Sequence, residues 1–196
     1  MCANFKGVIF DMDGTLTVPA INFDNIRKEL GIEKGRDLLD ISKSMNSHEK
    51  TKYFNTIDKY EKLALDKLEF QIGVRDILKK LRDLGIKLAI ITRNSQKNTD
   101  IVLEKLGIEF DPILTREFRS VKPNPEPIHF IVSDWKFALT EVLMVGDFRD
   151  DILCGKNAGV KTCFYENKNK ESYAYLADFS VNNYLELGKQ ILNYNL

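Results

Sequence analysis

Short apolar runs alternate along this chain with longer stretches in which apolar positions recur every three or four residues. Three of these runs, residues 5–10, 87–91 and 141–145, are too short for helices and are rich in β-branched residues. Such runs are typical of parallel strands that are buried on both faces, so we predict a strand at each of them. Residues 160–164 are predicted to form a fourth strand.

The stretches between these strands have helical spacing. Apolar residues from Val74 to Leu84 fall on one stripe, and Gly85 stands where a glycine commonly ends a helix. A second helix is predicted to begin after an N-cap at Ser95 and to end at Gly107. Because strands and helices alternate, we expect an α/β fold, with a Rossmann-like parallel sheet core flanked by helices.

Residues 17–70 interrupt this alternation. They contain no strand pattern, but one helical pattern ends before Gly31 and a longer one runs from Tyr53 to Leu68. We therefore predict a small all-helical insertion, residues 17–70, within an α/β core made of residues 1–16 and 71–196. An insertion of this size is small for an independent domain, so we expect it to pack on the core.

The composition is that of a globular protein, and it argues against nucleic acid or a membrane as a partner. The chain is 43% apolar and 30% charged, as in ordinary globular proteins, and its 29 basic and 29 acidic residues cancel. We therefore expect neither nucleic acid nor a membrane as a partner, and the lack of a long apolar run and of a secretion signal favours a cytoplasmic location. The cysteines Cys2, Cys154 and Cys163 form no Cys-x-x-Cys pair and are interpreted as reduced thiols.

Polar residues that can carry chemistry follow the ends of three predicted strands. In an open parallel sheet, ligands bind beyond the carboxyl ends of the strands, so we expect these side chains to converge. A lysine in the proline-rich segment S-V-K-P-N-P-E-P, just before a predicted helix, is expected to join them. The set consists of Asp11 and Asp13 in D-M-D-G-T, Thr92, Arg93 and Asn94 after the second strand, Lys122, and Asp147, Asp150 and Asp151 in G-D-F-R-D-D.

This combination of residue types indicates phosphoryl chemistry. Clustered carboxylates repel one another unless a cation lies among them, and hard oxygen ligands select Mg²⁺. One carboxylate can attack phosphorus to form an aspartyl-phosphate, while a second protonates the leaving oxygen and later activates water. A lysine and a threonine can neutralise the charge that grows on the phosphoryl oxygens.

The segment D-M-D-G-T-L-T, Thr92, Lys122 and G-D-x-x-x-D together resemble the four motifs of the haloacid dehalogenase superfamily, in the phosphatase branch that has a helical cap after the first strand. The resemblance implies that Asp11 is the nucleophile and Asp13 the general acid and base. It implies that Thr92 and Lys122 hold the phosphate, helped by backbone N–H groups near Met12 and Arg93.

The resemblance also implies the metal ligands. Asp11 and Asp147 would hold Mg²⁺ together with the carbonyl of Asp13, and Asp151 would be an outer ligand or an orienting group, a role for which the adjacent Asp150 is a rival. An acidic residue at position 13 is absent from the dehalogenases and the ion pumps of the superfamily. The expected activity is therefore hydrolysis of a phosphomonoester, with transfer to a sugar by a phosphomutase as the alternative.

The expected partner is a small phosphorylated metabolite, and the oligomeric state is left open. The helical insertion is expected to close over the site and to choose the leaving group. Arg93 and Asn94 are the preferred further phosphate contacts, whereas His48 and His129 are interpreted as solvent-exposed or packing residues. Other basic candidates for a second anionic group are Arg27, Lys28, Lys34, Arg36, Lys43, Arg116 and Arg119. A binding or regulatory protein that has lost turnover is the remaining alternative.

Overall fold

The computed structural model describes residues 5–33, 38–42, 44–167 and 172–192. The chain divides into two compact units: residues up to Pro19 together with those from Glu69 onward form the first, and Ala20–Leu68 form the second. Several residues singled out from the sequence lie outside the described residues, namely Cys2, Lys34, Arg36 and Lys43.

The second unit is helical in all of its described secondary structure, with α1 (Phe23–Leu30), α2 (Leu38–Ser42) and α3 (Ser47–Leu65). The helices α1 and α3 correspond to the two predicted helical patterns, and the five-residue α2 was not predicted. Ile26, Leu38, Tyr53 and Ile57 form the buried apolar cluster of this unit. The hydroxyl of Tyr53 donates to the carbonyl of Leu38 at 2.8 Å and ties α3 to α2.

The first unit is built on a six-stranded parallel sheet, so the predicted Rossmann-like α/β fold is confirmed. Its strands are β1 (Gly7–Phe10), β2 (Lys87–Ile91), β3 (Ile113–Leu114), β4 (Val142–Gly146), β5 (Lys161–Tyr165) and β6 (Phe179–Val181). The strand order is β3-β2-β1-β4-β5-β6. The four predicted strands are present, although β1 begins two residues later than predicted, and β4 and β5 each lie one residue later.

The two edge strands, β3 and β6, were not predicted. They have two and three residues, which is too short to show any period of apolar positions. The strand β3 is identified by its pairing of Ile113 with Ile90 on β2, and β6 by its pairing of Phe179 with Cys163 on β5. Their extended conformation therefore follows from the neighbouring strand and not from the local sequence.

Helices cover both faces of the sheet. They are α4 (Val74–Asp83), α5 (Gln96–Leu106), α6 (Glu126–Trp135), α7 (Arg149–Ala158) and α8 (Tyr184–Leu192). As predicted, the side chain of Ser95 caps α5 by accepting from the backbone N–H of Asn98, and Gly107 ends that helix with a φ of 72°. Among the described residues, no helix is long and apolar enough to cross a membrane.

Alternate residues of each central strand enter two separate apolar cores. On β1, Val8 and Phe10 pack in the core that contains Leu78 of α4, whereas Ile9 packs in the core that contains Ile131 of α6. Because both faces are buried, the strand sequence is continuously apolar. The polar residues that follow the strands are consequently left at the carboxyl edge of the sheet.

Candidate active site

Three neighbouring strands bring polar residues to the carboxyl edge of the sheet. Since β1 lies between β2 and β4, the residues that follow these strands, Asp11, Thr92 and Asp147, are placed side by side. The backbone N–H of Asp11 donates to the carbonyl of Val145 at 2.9 Å, which continues the sheet pairing up to the first aspartate. The sheet thus positions the start of each loop rigidly.

A cluster of buried carboxyl groups forms at this edge. Oxygens of Asp11, Asp147 and Asp151 all lie within 4.8 Å of one another. Asp151 belongs to the first turn of α7, where its Oδ2 accepts from the backbone N–H of Phe148 at 3.0 Å. The cluster therefore combines the ends of two strands with the start of a helix.

Lys122 bridges two members of this cluster, Asp11 and Asp151. Its ammonium is 2.5 Å from Oδ1 of Asp11 and 2.6 Å from Oδ1 of Asp151, and its side chain is only 2% exposed. Burial opposes the charged form, but the carboxylates of Asp11 and Asp151 outweigh it and raise the pKa of Lys122 above its usual value. The lysine is therefore held as a cation.

The carboxyl groups are not fully balanced by this single ammonium. Burial raises the pKa of Asp151 to about 7; Lys122 opposes the shift, while Asp11 and Asp147 add to it. Such an excess of buried negative charge is stabilised by a further cation, and oxygen donors of this kind suit Mg²⁺. The residues present therefore fit the expected metal.

The loop after β2 is tied to Asp13. The side-chain amide of Asn94 donates from Nδ2 to Oδ2 of Asp13 at 3.0 Å. The hydroxyl of the buried Thr92 accepts from the backbone N–H of Asn94 at 3.1 Å, and Oδ1 of Asn94 accepts from the backbone N–H of Ser95 at 2.8 Å. The carboxylate of Asp13 lies outside the three-carboxylate cluster.

The structure distinguishes the adjacent residues Asp150 and Asp151. Asp151 is buried in the cluster, whereas Oδ2 of Asp150 lies 3.0 Å from Nη1 of Arg93. Arg93 is thus held at the end of β2 by an ion pair to α7. Of these two neighbouring aspartates, it is Asp151 that reaches Asp11 and Lys122.

The structure describes four of the other basic candidates. Arg119 pairs with Glu126 at 2.5 Å, and Arg116 lies 3.8 Å from Glu117. In the second unit, Arg27 pairs with Asp24 at 3.3 Å, and Lys28 is exposed.

Each histidine has the kind of surroundings that the sequence analysis expected, one exposed and one in a local contact. His48 is exposed in the first turn of α3. Nε2 of His129, on α6, is 3.2 Å from the carbonyl of Ala158.

Asn167 is a site residue that the sequence analysis missed. Asn167 is half-buried, and its Nδ2 donates to Oδ2 of Asp147 at 2.9 Å and to the carbonyl of Gly14 at 2.6 Å. The signal that could have found it is its position two residues beyond β5, because β5 adjoins β4.

Gly14 is required where it stands. Its φ is +98°, and a Cβ added there would collide with the carboxylate of Asp147. Glycine is the residue that adopts this conformation without a steric penalty. The glycine of D-M-D-G-T therefore lets the backbone pass directly against Asp147.

Comparison with known proteins agrees with this geometry. The family model of the haloacid dehalogenase-like hydrolases matches residues 8–165. The chain belongs to the haloacid dehalogenase-like hydrolases. The family resemblance of its motifs is thereby confirmed, and the match extends from β1 to the end of β5.

Relatives of this hydrolase include proteins with assigned activities. It is 40% identical over 177 residues to a haloacid dehalogenase-like hydrolase domain-containing protein of Arabidopsis thaliana, covering 84% of this chain and 72% of the relative. It is 33% identical over 177 residues to the pyrophosphatase PpaX of Halalkalibacterium halodurans, covering 79% of this chain and 80% of the relative. A predicted phosphoglycolate phosphatase from Haemophilus somnus has the same fold, with a TM-score of 0.74 at 21% identity over 95% of this chain and 97% of that one.

Proposed function

We propose that this hydrolase is a Mg²⁺-dependent phosphatase that hydrolyses a small phosphomonoester through an aspartyl-phosphate on Asp11. The observation that carries the proposal is the buried cluster of Asp11, Asp147 and Asp151, two of which, Asp11 and Asp151, contact the ammonium of Lys122. Asp11 lies beside two other carboxyl groups and one ammonium, so it is placed to bind a further cation, Mg²⁺, and to contact a phosphate. The phosphatase names of several relatives support the same reaction class.

In the first step, a carboxylate oxygen of Asp11 attacks phosphorus, and the bond between phosphorus and the leaving oxygen breaks. Asp13 transfers its proton to the leaving oxygen, so that an alcohol departs. In the second step, Asp13 takes a proton from water, whose oxygen attacks the phosphorus of the aspartyl-phosphate. The bond between phosphorus and the Asp11 oxygen breaks, inorganic phosphate leaves, Asp11 is again a carboxylate, and Asp13 is again protonated.

The surrounding residues have separate roles in this scheme. Lys122 holds one oxygen of Asp11 at 2.5 Å and offsets negative charge in the cluster. Asn94 holds Asp13 by its hydrogen bond of 3.0 Å, which keeps the acid at a defined place. Thr92 and the backbone N–H groups near Met12 and Arg93 are assigned to the phosphoryl oxygens.

Asp11, Asp147 and Asp151 are assigned to hold Mg²⁺, together with the carbonyl of Asp13. Bound there, Mg²⁺ supplies positive charge that lets an anionic phosphate approach an anionic nucleophile. Asp151 is proposed as the outer acidic group in preference to Asp150, because Asp151 alone of the two lies in the described cluster.

The test is release of inorganic phosphate from a panel of small phosphomonoesters, with Mg²⁺ and with a chelator. Asp11→Asn is expected to abolish turnover, and Asp13→Asn to lower kcat by a factor on the order of 10² to 10⁴, because general acid–base catalysis is lost. The matched control is Asp134→Asn, at an exposed position on α6, which is expected to keep the wild-type rate.

Wild-type turnover in Asp11→Asn would refute the nucleophile assignment. Transfer of the labelled phosphoryl group to a sugar phosphate, without release of inorganic phosphate, would identify a phosphomutase instead. If the folded wild-type protein shows no turnover and binds no Mg²⁺, the remaining hypothesis is a binding or regulatory protein that has lost turnover.

A further inference from the structure

The carboxylate of Asp147 lies against the backbone of Gly14 and the side-chain amide of Asn167. Gly14 passes so close that a Cβ there would meet this carboxylate. Nδ2 of Asn167 donates to Oδ2 of Asp147 at 2.9 Å and to the carbonyl of Gly14 at 2.6 Å. Asn167 therefore links the carboxylate of Asp147 to the backbone of Gly14.

The orientation of the Asn167 amide follows from its partners. A backbone carbonyl only accepts hydrogen bonds, so the group that faces Gly14 must be the NH₂ end of the amide. A carboxylate is likewise an acceptor when ionised, so the same NH₂ end suits Asp147. Turning the amide over would place oxygen against both acceptors and lose both hydrogen bonds.

Gln71 holds Asn167 from its other end. Nε2 of Gln71 donates to Oδ1 of Asn167 at 3.0 Å and also lies 3.1 Å from the carbonyl of Gly14 and 3.2 Å from that of Thr17. The hydroxyl of Tyr165 donates to Oε1 of Gln71 at 3.3 Å. Every hydrogen bond from Tyr165 through Gln71 and Asn167 to Asp147 therefore runs in one direction.

We propose that Asn167 is a positioning residue for the metal ligand Asp147, and that Gln71 orients Asn167 for this role. The inference rests on the proposed function, because it concerns the same Mg²⁺ site. A hydrogen bond to one carboxylate oxygen restricts rotation of the group and holds it in place for the metal. Groups that support ligands in this way commonly change metal affinity by roughly 10- to 100-fold when they are removed.

The experiment measures the binding of Mg²⁺ alone to folded protein by titration calorimetry, without substrate. Asn167→Ala removes the amide, and Asn167→Leu removes the donor but keeps a side chain of similar size. The control is Asn183→Ala, which removes the side-chain amide of an exposed asparagine whose Oδ1 accepts from the backbone N–H of Glu186. A second readout is the KM for the best substrate of the wild-type protein at saturating Mg²⁺.

Both Asn167 variants are expected to bind Mg²⁺ about 10- to 100-fold more weakly, with KM at saturating Mg²⁺ within about twofold of the wild-type value. The control is expected to bind Mg²⁺ as the wild type does. Wild-type Mg²⁺ affinity in both Asn167 variants would overturn the inference and leave the proposed function intact. Failure of the wild-type protein itself to bind Mg²⁺ would instead overturn the proposed function.

Discussion

Replacing Lys122 with methionine removes a buried ammonium and keeps an unbranched side chain that fills much of the same space. In the native protein, this ammonium lies 2.5 Å from Asp11 and 2.6 Å from Asp151, and the lysine side chain is 2% exposed. The variant would leave Asp11, Asp147 and Asp151 in one buried cluster without the cation that Asp11 and Asp151 contact. We expect Lys122→Met to be strongly destabilising in the absence of a divalent metal.

The magnitude follows from the burial of these ion pairs. Removing one partner of a buried pair costs roughly 3–5 kcal/mol, because the remaining charge stays desolvated. A typical domain has a free energy of unfolding of roughly 5–15 kcal/mol, so the variant is expected to fold but with a much lower stability. Saturating Mg²⁺ is expected to reduce the loss, since a bound divalent cation replaces the missing charge.

The assay is equilibrium urea denaturation followed by circular dichroism, in chelator and in Mg²⁺. The matched control is Lys161→Met, because Lys161 pairs with Asp178 at 2.8 Å while its side chain is 55% exposed. Exposed pairs contribute about 0–1 kcal/mol, so this control is expected to lose little stability. A loss in Lys122→Met no larger than that of the control would refute the argument that the ammonium compensates the buried carboxylates.

Two further substitutions lie in the segment D-M-D-G-T; one tests its backbone conformation and the other its buried hydroxyl. Gly14→Ala is expected to lower the free energy of unfolding by about 1–2 kcal/mol, measured by urea denaturation, because the φ of residue 14 is +98°. It is also expected to weaken Mg²⁺ binding, measured by calorimetry, because the new Cβ would displace Asp147. Wild-type Mg²⁺ affinity in this variant would contradict the steric reasoning. Thr15→Val is expected to leave the free energy of unfolding unchanged or to raise it by up to about 1 kcal/mol, because Oγ1 of Thr15 is buried and has no hydrogen-bond partner in the part of the chain that the structure describes. A loss of more than about 1 kcal/mol on urea denaturation would show that this hydroxyl does make a stabilising contact.

The central part of the fold could be predicted from the sequence because its physical cause is local. The strands β1 and β4 are buried along their whole length, and β2 and β5 are buried after an exposed first lysine, so each one is a mainly apolar run that stands out from its surroundings. The helices α4 and α5 likewise carry their apolar stripes and glycine stops in the sequence. The short edge strands β3 and β6 could not be predicted, because their hydrogen bonds to a neighbouring strand define them.

The site residues that directly follow a strand could also be predicted from the sequence. Asp11, Thr92 and Asp147 each follow a recognisable strand directly, and parallel strands bring their carboxyl ends to one edge. The role of the helical unit in choosing a substrate remains a prediction, because the contacts that would decide it are not determined by the pattern of helices alone.

The remaining contacts depend on tertiary structure. Asp150 and Asp151 are neighbours at the start of α7, and the direction in which that helix presents each residue decides that Asp151 meets Lys122 while Asp150 meets Arg93. Asn167 is an ordinary polar residue in sequence terms, and it becomes part of the site because β5 packs beside β4 and delivers it to Asp147. The nearly periodic apolar pattern thus determines the elements, whereas contacts between residues far apart in the chain determine which polar groups meet, because such contacts exist only once the sheet is assembled.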